Sequence, residues 1–170
     1  MFAINGTAKL LKALRVSAAD PPAPTTRLGN WYANFVAGPR GPIVCISART
    51  YLPVVVPRSA RDALPRALAD ELAKLLAAIE VPAPLIEQER LAMAQSTWAK
   101  TDSRSLVGVL NEQAFMASVL LSERFESWAA LNRRLAENIV KLQFPIDLTR
   151  EAFGLERLRV PSSLTTPDRE

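Results

Sequence analysis

Apolar positions in this chain change period once, from short strand-like runs to helical stripes. Phe2-Ala3-Ile4 predicts a short edge strand. Thr7 then caps a brief helix from Ala8 to Arg15, with Leu10, Leu11 and Leu14 inward and Lys9, Lys12 and Arg15 in water. Residues 17–29 read as loop, because Asp20-Pro21-Pro22-Ala23-Pro24 can join neither a helix nor a central strand. Asn30 to Ala37 alternates as a strand, with Trp31, Ala33 and Phe35 on one face and Tyr32, Asn34 and Val36 on the other. Gly38-Pro39-Arg40-Gly41-Pro42 turns the chain, and Ile43 to Ser47 returns antiparallel. Leu52 to Val56, bracketed by Pro53 and Pro57, completes a meander whose apolar faces call for helices on at least one side.

Beyond the meander the spacing is helical. Asp62 to Ile79 carries Leu64, Leu68, Leu72, Leu75, Leu76 and Ile79 on one stripe, and Val81-Pro82-Ala83-Pro84 stops it. A shorter helix is expected over Leu85 to Ala94, then an extended Ser96 to Lys100 that can return to the sheet as a fourth strand. The helix from Ser103 to Leu121 is apolar on most of its circumference, which predicts the central, most buried helix. Another is expected from Ser122 or Glu123 to Leu142, broken by Pro145. The pattern predicts an α+β fold, a small, mainly antiparallel sheet of three to four strands packed against four to five helices. It forms a single domain over residues 1–154, with a flexible tail over 155–170.

Composition narrows the chemistry. The 170 residues include no histidine and one cysteine, Cys45. The usual zinc sites and Ser-His-Asp or Cys-His catalysis therefore cannot be assembled, and neither a metal site nor a cofactor is expected. Cys45 sits in an apolar run, where a small buried hydrophobe is its expected role. Without a signal-like start or an uninterrupted apolar run near about 18 residues, the expectation is a cytoplasmic protein with no membrane partner.

The net charge of +4 is unevenly spread. Residues 1–66 hold nine Lys and Arg against Asp20 and Asp62, whereas residues 67–170 hold twelve against fifteen acids. A basic N-terminal half suits a phosphate backbone or an acidic protein surface, or equally a solvated positive face.

Most candidate constellations have plain alternatives. Asp70-Glu71 and Glu87-Gln88-Glu89 do not converge on a metal, since neighbours on a helix point about 100° apart. Gly38-Pro39-Arg40-Gly41 lacks the spacing of a nucleotide fingerprint. Trp31, Tyr32 and Phe35 beside Arg27 and Arg40 would stack bases if exposed, or fill a core if not. Asn34, an amide in mid-strand, needs partners if buried. The stretch Lys100-Thr101-Asp102-Ser103-Arg104-Ser105-Leu106-Val107-Gly108-Val109-Leu110-Asn111 stands apart. Asp102 or Ser103 can cap a helix, and Arg104, Gly108 and Asn111 then share one face. That stripe can hold an anion or a partner's backbone, or make a tight contact with a strand.

Three segments together carry a resemblance: Met1 to Leu14; Trp31-Tyr32-Ala33-Asn34 with Tyr51-Leu52-Pro53-Val54-Val55; and Lys100-Thr101 with Arg104-Ser105, Gly108 and Leu110-Asn111. In this order the chain resembles a family of small bacterial domains of unknown function. Its members commonly show a Trp-His-Ala-Asn strand, a Tyr-Pro-Val-Val strand and a Lys-Thr-x-x-Arg-Ser-x-x-Gly-x-Leu-Asn helix start. The resemblance implies one α+β domain and groups Trp31, Asn34, Lys100, Arg104 and Asn111 as a shared cluster. It brings no activity and no cofactor, and Tyr32 stands where histidine is expected.

The function this supports first is a non-enzymatic binding module for nucleic acid or a protein partner. It would act through the basic half and the Arg104–Asn111 stripe. One alternative is a histidine-free nuclease or transferase with Lys100, Arg104 and Asn111 around a substrate phosphate. Another is a homo-oligomerising protein that uses patches near Trp98 and Trp128.

Overall fold

The computed structural model describes residues 1–123 and 125–158. Its strands are β1 (Phe2–Gly6), β2 (Trp31–Phe35), β3 (Ile43–Ser47), β4 (Pro53–Val56) and β5 (Ser96–Lys100). They form one five-stranded sheet in the order β4-β3-β2-β1-β5. The meander β2-β3-β4 is antiparallel, as its short turns require. β1 is not the expected edge strand: it lies inside the sheet, parallel to both β2 and β5. The sheet is therefore mixed and five-stranded, which corrects the mainly antiparallel sheet of three to four strands. A parallel neighbour needs a crossover connection, and the helix α1 (Ala8–Leu14) supplies the one from β1 to β2.

Five further helices follow: α2 (Leu64–Ala78), α3 (Ala83–Ala92), α4 (Arg104–Ser122), α5 (Trp128–Ala136) and α6 (Pro145–Ala152), with a 3-10 segment over Arg58–Ala63. That makes six helices where four to five were expected. Strand alternation sorts them into layers. Phe2, Ile4, Trp31, Phe35 and Cys45 face a core built with Leu10, Leu68, Leu72, Leu75, Ile146 and Phe153. Tyr32, Val44, Ile46 and Val55 face the other way, against Val109, Leu110, Ala117, Leu131 and Leu135. Each fully buried Leu or Phe contributes about 2 kcal/mol, so the first, larger core dominates the stability.

Two helix expectations fail for physical reasons. α4 is not the most buried helix. It buries only the stripe Val109, Leu110, Gln113, Ala117 and Leu120, and Phe115 on its outer face is 67% exposed. It is the one described helix long and apolar enough by composition to cross a bilayer, but that inner stripe is docked on the sheet. The single helix expected up to Leu142 ends at Ala136. Val140 and Gln143 then pair across Lys141-Leu142, both at positive φ (49° and 63°), a two-residue turn that reverses the chain. Pro145 begins α6 instead of ending a helix, because its fixed φ and missing N–H suit a first turn.

Each edge strand of the sheet has a hydrogen-bonding partner from outside the sheet. On β4, the Val55 N–H donates to Asn132 Oδ1 at 2.7 Å, and Asn132 Nδ2 donates to the Val55 carbonyl at 3.2 Å. A buried amide on α5 thus takes the place of a sixth strand. On β5, the Ala19 N–H from the proline-rich loop donates to the Trp98 carbonyl at 2.8 Å. That loop is anchored by buried Glu89, whose carboxylate accepts from the Arg27 and Leu28 N–H groups at 2.8 and 3.2 Å. Burial pushes the Glu89 carboxyl up, against the opposing pull of those two donors. Cys45 is fully buried in mid-sheet, and burial pushes its thiol up as well. Of the expected tail, Leu155 is half-buried, with its N–H on the Arg150 carbonyl at 2.9 Å. Residues 159–170 lie outside the described residues.

Candidate functional site

Chain direction decides where the polar chemistry collects. β1, β2 and β5 are mutually parallel, and β4 regains the direction of β2 after two reversals. Four strands therefore end at the same side of the sheet. The segments that follow them, around residues 7–9, 36–42, 57–62 and 100–104, gather there. From this end α1 drops onto one face and α4 onto the other. Neighbouring strands whose connections leave to opposite faces open a crevice between their carboxyl ends, the usual ligand position in such sheets.

A hydrogen-bonded chain runs across this end. Thr7 caps α1, its Oγ1 accepting from the Leu10 N–H at 3.4 Å, and its hydroxyl donates to Asn34 Oδ1 at 2.9 Å. Asn34 Nδ2 reaches Asn111 Oδ1 at 3.4 Å, which ties β2 to α4. Asn5 Nδ2 donates to the Lys100 carbonyl at 3.0 Å, while its Oδ1 is buried without a partner among the described residues. The Tyr32 hydroxyl donates to the Asp102 carboxylate. Burial, then the hydrogen bond and charge of Asp102, hold the phenol pushed up to about 12, so it stays a donor. Ser103, not Asp102, caps α4, accepting from the Leu106 N–H at 3.3 Å.

Of the residues singled out from the sequence, Asn34 and Asn111 are joined directly, and Lys100 and Arg104 stand exposed at the same end. Trp31 does not join them. It points into the larger core on the opposite face, fully buried, with no hydrogen-bond partner for its indole nitrogen among the described residues. Tyr32 and Phe35 are buried too, so none of the three rings is open for stacking on a base. Gly108 is exposed, and a Cβ there would meet nothing within 4 Å, so packing within the chain does not require a glycine.

Asn5, Thr7, Tyr32 and the partnership of Asp102 escape a sequence reading. Their one legible sign is Asn5-Gly6-Thr7, a polar step at a strand-to-helix junction. The acidic clusters are structural: Asp70 meets Arg90 at 3.4 Å, Glu71 meets Lys74 at 2.7 Å, and Glu89 holds backbone. Among the described residues no group of three or more His, Cys, Asp or Glu could hold a metal ion.

Two cavities open beside the crevice. One, of about 580 Å³, is lined by Lys12, Arg15, Lys100 and Thr101 with apolar Leu11 and Val16. The other, of about 620 Å³, is lined by Asp20, Lys100 and Asp102. Lys100 borders both.

A mixed sheet covered by helices on both faces, with a polar, cationic crevice at its carboxyl end, defines an α+β domain. The chain belongs to the family described as Domain of unknown function (DUF6933), whose model matches residues 3–148. No curated protein and no solved structure matches it.

Proposed function

We propose that this domain binds nucleic acid, without acting on it, through the carboxyl end of its sheet. The observation that carries the reading is the placement of charge. The four converging segments bring Lys9, Arg40, Arg58, Arg61, Lys100 and Arg104 to one end, and the acids among them are Asp62 and Asp102. Both acids are engaged, Asp62 with Arg61 at 3.4 Å and Asp102 with Tyr32. Four of the nine basic residues of the N-terminal half thus join Lys100 and Arg104 at one end, a net positive field that attracts a polyanion and releases its counterions. The start of α4 adds its positive dipole end behind Arg104. Exposed Gly108 and the Asn34–Asn111 bridge leave the flank of α4 low enough for a strand's backbone to approach.

Fluorescence anisotropy with short single-stranded DNA and RNA over a salt series tests this. Affinity should fall with a log–log slope of about −0.7 for each phosphate contacted. Lys100→Glu with Arg104→Glu should weaken binding by about tenfold or more at low salt, and Lys74→Glu, remote on α2, should not. Absence of binding at low ionic strength overturns the reading.

A further inference from the structure

We propose that the crevice between β1 and β5 is a site for a phosphomonoester carried on a sugar: a free nucleotide, or the terminal phosphate of a strand. In the second form it rests on the nucleic-acid reading, and in the first it stands without it. The cavity of about 580 Å³ is the size of small-ligand sites generally, about 300–1,000 Å³. Its charged lining consists of Lys12, Arg15 and Lys100, with no carboxylate among its walls. A phosphodiester carries a single charge, whereas a monoester near neutral pH carries about −1.5 to −2 and presents three acceptor oxygens. Three cations around one cavity match the monoester. Beyond Lys100, the adjoining cavity offers Asp20 and Asp102, and carboxylates in that position accept hydrogen bonds from sugar hydroxyls. The order along the crevice is therefore phosphate-binding cations, then a shared lysine, then sugar-binding acids.

Arg15 takes its place on the cavity wall from the way α1 ends. It closes α1 in the left-handed region, φ 55°, its N–H on the Lys12 carbonyl and the Val16 N–H on the Leu11 carbonyl, each at 3.2 Å. Five other non-glycine residues among those described share this region, so it is the position of Arg15 beside Lys12 and Lys100, and not its φ, that points to an anion.

The test is calorimetric titration of the whole chain with adenosine 5′-monophosphate, adenosine 3′-monophosphate and adenosine, beside hexanucleotides with and without a terminal phosphate. At least one monophosphate should bind about tenfold tighter than adenosine, and a terminal phosphate should strengthen hexanucleotide binding. Arg15→Gly should remove both preferences without lowering the thermal midpoint, because glycine accepts the same φ. Phosphorylated hexanucleotides should lose more affinity for that variant than unphosphorylated ones do, so that the two bind it alike. Monophosphate binding without any hexanucleotide binding supports the crevice and overturns the polyanion reading. Equal affinity for adenosine and both monophosphates overturns the crevice, as does an Arg15→Gly variant that keeps the preference.

Discussion

Asn132 and Asn34 are the same side chain put to opposite uses at two margins of one sheet. Asn132 lies fully buried against β4 and exchanges both of its polar atoms with the Val55 backbone. Asn34 is half-buried at the carboxyl end of β2; its Oδ1 accepts from the Thr7 hydroxyl and from the Phe35 N–H, and its Nδ2 reaches Asn111 on α4. At the first margin polarity is closed: the Val55 N–H and C=O and the buried amide of Asn132 satisfy one another. At the second it is left open, with the Asn5 Oδ1 unpaired among the described residues and a cationic crevice alongside. A saturated amide stabilises a fold, while an amide in an unfinished network marks where something else can bind.

Substitution separates the two most sharply. Asn132→Ala strands the buried N–H and C=O of Val55 and should cost about 3 kcal/mol in urea unfolding. Asn34→Ala, where water can replace the amide, should cost under about 1 kcal/mol. Equal costs would erase the distinction.

A smaller effect concerns Glu89, a charged group on the closed side. Its carboxyl is held above the ordinary 4.5 in the folded protein, so the folded state binds that proton more tightly than the unfolded chain. Stability from this source is complete below the ordinary value and is lost as pH rises through the raised one. The stability of the parent relative to Glu89→Gln should therefore improve as pH falls from neutrality toward that value. A flat difference, or one of opposite slope, would show that the two backbone donors outweigh burial.

The smallest effect belongs to the open side. Gly108→Ala should raise stability by about 0.5–1 kcal/mol, since a mid-helix glycine is costly and there is room for a methyl group. A loss instead would mean that the chain itself uses that space.

The closed side was the more legible in the sequence. Alternation located β2, leucine spacing located α2, and the apolar run around Cys45 located β3. What escaped was long-range. Nothing local in Phe2-Ala3-Ile4 states that parallel partners will flank it on both sides, one of them some ninety residues away. The apolar circumference of α4 suggested burial, yet only one stripe found a surface to cover, and Phe115 was left outside. The helix end expected at Leu142 came six residues early, because helix periodicity does not register a turn such as Lys141-Leu142 that depends on backbone handedness.

The candidate site was legible by halves. Arg104 and Asn111 could be paired by helical spacing, and Asn34 by its awkward place in a strand. Lys100 and Trp31 were drawn in by the resemblance, although alternation already put Trp31 on the other face from Asn34. The Tyr32–Asp102 and Asn5–Lys100 links join residues far apart in the chain, where spacing rules carry no information.

The lone thiol has a practical corollary. Cys45 is flanked in register by Ala33 and Val54, and its side chain is fully buried in the larger core under the helices. An alkylating reagent can reach that sulfur only in molecules whose larger core has opened. Labelling kinetics in plain buffer therefore count the rare excursions in which that core comes apart, and the fraying of the chain's ends leaves them unchanged.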